Sequence, residues 1–319
     1  MKKIAFYMFS FTLFIGFFLY QDSASATEKV RNDYTFGEVE TILVDYLNEK
    51  GYNLEVGTEE YINFVVEQMN NDSDKELANR EDYQLICAYF AEYLHRLTLE
   101  ETQNYDQGLD NTIDTATFEL SDEVKDTTLG EMKDEIQQEE AVKELEKIIS
   151  IVPTATGTIN LTNARSYAKK YYSSYNTSYP KYSNDCTNFV SQILFAGGRK
   201  KVGTTTATLV SDTKSWFIMK RPDNTFSRST SWTVVTDLYS HLVRTQVGYS
   251  STSKSSIIKN AKSGDVIQFK KSGADRYSHA MWIYEKQSSN LLLSGHTSNY
   301  WNRSFNAITG YSSYRIVKM

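Results

Sequence analysis

The chain has 319 residues, 40% of them apolar and 23% charged, and a net charge of -6. Its two cysteines allow one disulfide at most. No metal-ligand spacing or phosphate-cradling glycine loop occurs, so neither a metal nor another cofactor is expected. The net charge hides a division: residues 28–150 hold 32 acids and 10 bases, a balance of -22, whereas residues 151–319 hold 22 bases and 7 acids, a balance of +15. All four tryptophans and all three prolines lie in the second part, so a domain boundary is placed near residue 150.

The N-terminus reads as a secretory signal over residues 1–26. Lys2 and Lys3 precede an uncharged apolar run, and Ala24-Ser25-Ala26 supplies a small-residue cleavage site. The rival is a retained membrane anchor, for which the apolar run is at the lower limit of length. Cleavage makes the protein secreted or cell-wall associated, with no stable membrane span.

Residues 27–150 read as an acidic helical region. Phe36, Val39, Leu43 and Leu47 recur at helical spacing, and so do Tyr61, Ile62, Val65 and Met69. Cys87 falls on a similar stripe with Tyr83, Phe90 and Leu94 and reads as a core residue, with a Cys87–Cys186 bridge as the alternative. Residues 102–128 are polar and read as irregular, and helix resumes over 131–149. His95 in this region, and His241 later, read as ordinary structural histidines.

A Thr-rich linker over 151–163 leads to residues 164–319, where the texture changes. Helices are expected over 164–175, 186–196 and 231–243, and strands over 265–270, 279–284, 291–295 and 314–317. Helices followed by a run of antiparallel strands make an α+β layout.

The strongest segment is Tyr182-Ser183-Asn184-Asp185-Cys186-Thr187-Asn188-Phe189-Val190. Asn184 and Asp185 are good helix caps, which puts the Cys186 thiol in a first helical turn, where the dipole and free N–H groups favour a thiolate. His279 opens the apolar strand His279-Ala280-Met281-Trp282-Ile283-Tyr284, where a polar first residue is out of place. A thiol and an imidazole so carried can form a nucleophile and its general base. The base needs a third group to orient it. His296, at the end of the next strand, is the first candidate, with Asn299 its rival and Asn188 a weaker one.

Tyr167-Ala168-Lys169-Lys170-Tyr171-Tyr172, the Asp185-Cys186-Thr187-Asn188-Phe189-Val190-Ser191-Gln192 string, Ala196-Gly197-Gly198, Ser231-Trp232, Gly264-Asp265-Val266-Ile267-Gln268-Phe269, His279 and His296-Thr297 follow one another in a recognisable order. Together they resemble the putative amidase domain family of secreted Gram-positive proteins. That family is similar to the NlpC/P60 and CHAP cell-wall hydrolases. The resemblance covers residues 160–317. It implies a papain-like domain with a helix-borne Cys on an antiparallel sheet, preceded here by an all-α region. It also implies a cysteine amidase or peptidase acting on cell-wall peptides. His296 lies 17 positions past His279, against some 12 in the wider group, with a polar insertion at residues 285–290.

Two other readings stay open: a non-catalytic protein that grips anionic wall polymers, and a transglutaminase-like acyl transfer through the same thiol. No base-reading module is present, so nucleic acid is not an expected partner. The opposite charges of the two parts lead to one further expectation: the acidic region docks on the basic domain and competes with a polyanionic substrate, in a salt-dependent way.

Overall fold

The computed structural model describes residues 31–104, 118–149, 159–203 and 209–319. The signal segment expected at 1–26 and the linker residues 151–158 lie outside the described residues.

The helical region begins with α1 (Phe36–Glu49), whose start is fixed by a reciprocal capping box between Thr35 and Glu38. Helix α2 (Glu59–Asn71) is capped by Thr58 and ends where Asp72 turns left-handed at φ 47°. The short α3 (Lys75–Ala78) is capped by Asp74. Helix α4 (Tyr83–Asn104) is the longest, followed by α5 (Asp122–Asp126) and α6 (Leu129–Ile149). Their apolar faces bury one core containing Phe36, Leu43, Tyr61, Val65, Tyr89, Phe90 and Leu94. The expected irregular stretch is thus corrected at both ends. Helix α4 runs on to residue 104, and residues 122–126 form α5, while residues 105–117 lie outside the described residues.

The second part is α+β. Helices α7 (Leu161–Tyr171) and α8 (Cys186–Ala196) come first, so the expected linker gives way to helix by residue 161. A small sheet follows, of β1 (Leu209–Val210), β2 (Ile218–Lys220) and β3 (Phe226–Ser229). The single helix expected over 231–243 is two, α9 (Thr230–Thr233) and α10 (Val235–Leu242), separated at Val234, whose backbone is extended.

A six-stranded antiparallel sheet completes the domain in the order β4-β9-β5-β6-β7-β8. Its strands are β4 (Gly248–Ser251), β5 (Val266–Lys271), β6 (His279–Lys286), β7 (Leu291–Gly295), β8 (Tyr300–Ser304) and β9 (Tyr311–Val317), with α11 (Lys254–Asn260) between β4 and β5. Alternation divides the strands between two cores. Val266, Ala280, Trp282 and Val317 face α8, whereas Ile267, Phe269, Met281, Ile283 and Ile316 face a second cluster with Ile257 and Phe305. Phe189, Val190, Ile193 and Leu194 of α8 are fully buried against the first face. At about 1.5–3 kcal/mol each, they hold the helix rigidly on the sheet.

The two parts are joined by contacts distant in sequence. Arg276, 3% exposed, pairs with Glu92 at 3.0 Å and with Glu139 at 2.7 Å. Lys271, 1% exposed, pairs with Asp72 at 2.6 Å. Lys143 meets Asp237 at 2.8 Å, and Arg31 meets Asp275 at 2.7 Å. Tyr311 donates to the Met69 carbonyl, and Tyr300 to Asn71. The Arg276–Glu92 and Lys271–Asp72 pairs are screened less than the more exposed Arg276–Glu139, Lys143–Asp237 and Arg31–Asp275 pairs.

Candidate active site

Cys186 opens α8 and is fully buried. Its sulfur lies 3.7 Å from Thr187 Oγ1, and the backbone N–H groups of Ala280 and Thr187 act on it in the direction that favours a thiolate. Strand β6 therefore brings its first residues to the thiol. Burial pushes that thiol up to about 11, with Asp185 adding to the rise, against the pull of the N–H donors. The expected thiolate-prone cysteine is thus corrected for the covered site: loss of water outweighs the helix terminus. Cys87 is also a buried free thiol, pushed up to about 12 by burial, and no disulfide joins the two.

His279 stands immediately before Ala280, with 4% of its surface exposed. It is paired with Phe269 in the sheet and its ring lies 5.7 Å from the Phe269 ring, on the opposite face from Ala280. Its Nδ1 has no hydrogen-bond partner among the described residues. Burial, and then the charges of Arg303 and Lys271, bring the imidazole down to about 3. No hydrogen bond joins Cys186 to His279 among the described residues. Burial favours the uncharged form of both groups, which sit on different elements, α8 and β6, and are not engaged.

His296 departs from its expected role as orienter of His279. Its Nδ1 lies 2.6 Å from Asp185 Oδ2 and its Nε2 lies 2.6 Å from the Tyr171 carbonyl oxygen. Both nitrogens are therefore occupied away from His279. The ring stacks on Phe189 at 3.7 Å and 4°. Asp185 holds the N-cap position of α8 yet makes no side-chain cap, because its carboxylate is turned to His296, Asn188 and the Tyr182 N–H. Asn188 braces this cluster: it donates to Asp185 and to the Pro180 carbonyl, and accepts from Trp232 Nε1. Asn299 sits exposed on the turn after β7 with φ 53°, so neither it nor Asn188 replaces His296 beside His279.

Helix α4 lies over this site, which the sequence did not indicate. Glu101 accepts from the Ser183 N–H at 3.0 Å and from its hydroxyl at 2.6 Å, three residues before the thiol. Thr102 meets Thr233 at 3.1 Å. A cavity of about 10 Å³ lies between α4 and residues next to the site, bordered by Ala91, Leu94, Thr98, Asn184, Val234 and Ser278. That holds about one water molecule and no peptide.

His241 is also buried, bonded through Nδ1 to the Thr213 carbonyl and lowered to about 3 by burial and by Arg199. His95 is lowered as well, first by burial and then by Arg276. These histidines bind protons in the unfolded chain below about pH 6.5, while the folded chain refuses them until about pH 3 in the cases of His241 and His279. The contribution of these three histidines to stability is therefore fullest above pH 6.5 and falls with acidification. By pH 5.5 His241 and His279 should each have cost about 1.4 kcal/mol. Thermal melts from pH 8 to pH 5 should show the decline, and His279→Gln should flatten it. A midpoint unchanged over that range would contradict the buried neutral state.

No group of three or more His, Cys, Asp or Glu residues suited to a metal ion occurs among the described residues. Nor is any helix among them long and apolar enough to cross a membrane.

Residues 158–318 match the family described as "Putative amidase domain". Over 130 residues the chain is 31% identical to the uncharacterized protein YhbB of Bacillus subtilis (strain 168). That stretch is 40% of this chain and spans 37% of the length of that relative. No solved structure matches.

Proposed function

The chain belongs to the putative amidase domain family, and from that premise we propose that it is a secreted cysteine amidase or peptidase that cleaves amide bonds in cell-wall peptides. The observation that carries this reading is the fully buried Cys186 thiol at the start of α8, packed with Ala280 of the strand that His279 opens. Donors that hold a sulfur can stabilise a thiolate, and N–H groups at a helix start can also receive the oxyanion that forms when it attacks a carbonyl. In the covered form the His279 ring lies on the face of β6 opposite Ala280, so in this reading it must turn toward Cys186 to take the thiol proton and return it to the leaving amine. A Cys-bearing helix packed on an antiparallel sheet supports reading the domain as papain-like.

In this reading the covered site is a resting form. With α4 in place the thiol stays protonated and the imidazole neutral, because neither can be hydrated. Displacement of the acidic region admits water and substrate together. An anionic wall polymer, which would compete for the same basic surface, fits that role.

The test is product analysis after incubation with purified peptidoglycan. New amino termini at stem-peptide bonds are the expected result. Incorporation of an added amine would replace hydrolysis by acyl transfer. Tight sedimentation with no chemical change would leave a wall-binding protein.

A further inference from the structure

We infer that His296 is a positively charged positioning residue: it forms an ion pair with Asp185 that neutralises the carboxylate next to the nucleophile and locks the start of α8. The inference rests on the reading of Cys186 as the nucleophile, but the charge itself follows from a chain of hydrogen bonds.

That chain begins at Trp232, whose indole N–H can only donate. It donates to Asn188 Oδ1 at 2.9 Å, which fixes the orientation of that amide. Asn188 Nδ2 must then donate, and it does so to Asp185 Oδ1 at 2.8 Å and to the Pro180 carbonyl. The Tyr182 N–H donates to the same Oδ1 at 3.1 Å. Asp185 accepts at one oxygen and faces His296 with the other; a carboxylate is a much weaker base than an imidazole, so the proton between them is placed on the ring. The second neighbour of His296 is the Tyr171 carbonyl, which can only accept. Acceptors at both ring nitrogens require two N–H groups, and an imidazole with two is a cation.

The surroundings suit that charge. Phe189 offers its ring face in parallel contact at 3.7 Å, the arrangement that attracts a planar cation. Tyr175 flanks the other ring contact at 4.9 Å, with Lys181 4.8 Å from the Tyr175 ring. The acidic groups facing the pair are Asp185 itself, from the start of α8, and Glu101 of α4, reached through Ser183. A carboxylate one residue from the thiol opposes thiolate formation, and a cation on that carboxylate removes the opposition. The same bond ties the residue after β7 to the start of α8, where Cys186 sits.

Two measurements on the full chain test this without a peptidoglycan assay. In nitrogen NMR of the histidine side chains at pH 7, His296 should show two protonated ring nitrogens. A spectrum with one protonated nitrogen would overturn the inference. The second follows alkylation of Cys186 by iodoacetamide against pH. His296→Asn should move the profile to higher pH and slow the reaction about tenfold at pH 7.5. Asp185→Asn with His296→Asn should restore the rate to within about threefold of the parent, because the unpaired charge is gone. A profile unmoved by His296→Asn, or a double variant slower than the single one, would mean that His296 only packs. If the chain hydrolyses no amide, the NMR result still decides the charge while the functional reading fails separately.

Discussion

Replacing Cys186 by alanine is expected to lower amide hydrolysis by about 10⁴-fold or more while leaving the protein folded. The first half follows from chemistry. In a thiol hydrolase the nucleophile forms the covalent intermediate, and its loss leaves only binding and oxyanion contacts to act on water. The second half follows from packing. Cys186 is fully buried, but only one sulfur atom is removed. A deletion of that size costs about 1 kcal/mol, or a few degrees in the melting midpoint. His279→Ala should cost about 10²–10⁴-fold, the usual worth of a general base. Peptidoglycan release assays paired with thermal melts separate the two effects. If Cys186→Ala keeps more than a tenth of the parent activity, another group performs the attack.

What was legible in the sequence was what local pattern determines. The Cys186 helix begins and ends at its expected residues, because a polar turn precedes it and Gly197-Gly198 follow it. Strands β5, β6 and β7 were visible as apolar runs. Strands β4 and β8 were not, since they are the edge strands of the sheet. Their Gly248–Ser251 and Tyr300–Ser304 segments bury too little to need an apolar alternation.

The partner of His296 was hidden for a different reason. Left-handed Thr297 (φ 80°) and Asn299 (φ 53°) and the irregular β7–β8 pairing set the course of the chain after Gly295. Spacing along the sequence cannot give the direction of a side chain beside such a turn. The cover over the site was hidden too, because Glu92 and Arg276 are 184 residues apart. One signal could have suggested it. Tyr89, Phe90, Ala91, Tyr93, Leu94 and Leu97 are apolar around most of α4, which is the pattern of a helix buried on more than one side.

Opening that cover should raise the reactivity of Cys186 by about 100-fold, and Gly273→Ala is the variant expected to do so. Gly273 lies in the β5–β6 hairpin at φ +88°, where the chain passes against the first turn of α4. A Cβ there would sit 2.4 Å from the Gln84 carbonyl oxygen and 2.6 Å from its Cα. Both atoms are backbone, so they cannot swing aside as a side chain would. Forced contact of this kind costs about 1–3 kcal/mol, and the left-handed backbone adds about 1 kcal/mol for alanine. The strain falls on the contact between the two parts, each of which has its own apolar core. Relief therefore comes from lifting α4 sooner than from unfolding. A contact weakened by about 3 kcal/mol opens about 100 times more often. Alkylation of Cys186 in the full chain, followed by mass spectrometry of its peptide, reads that frequency. Glu92→Gln, which leaves the buried Arg276 with Glu139 alone, should act in the same direction. Peptidoglycan hydrolysis should rise with the labelling in both variants. Labelling that rises while hydrolysis falls would make α4 a part of the working site, and labelling unchanged in both variants would mean that α4 does not gate the thiol.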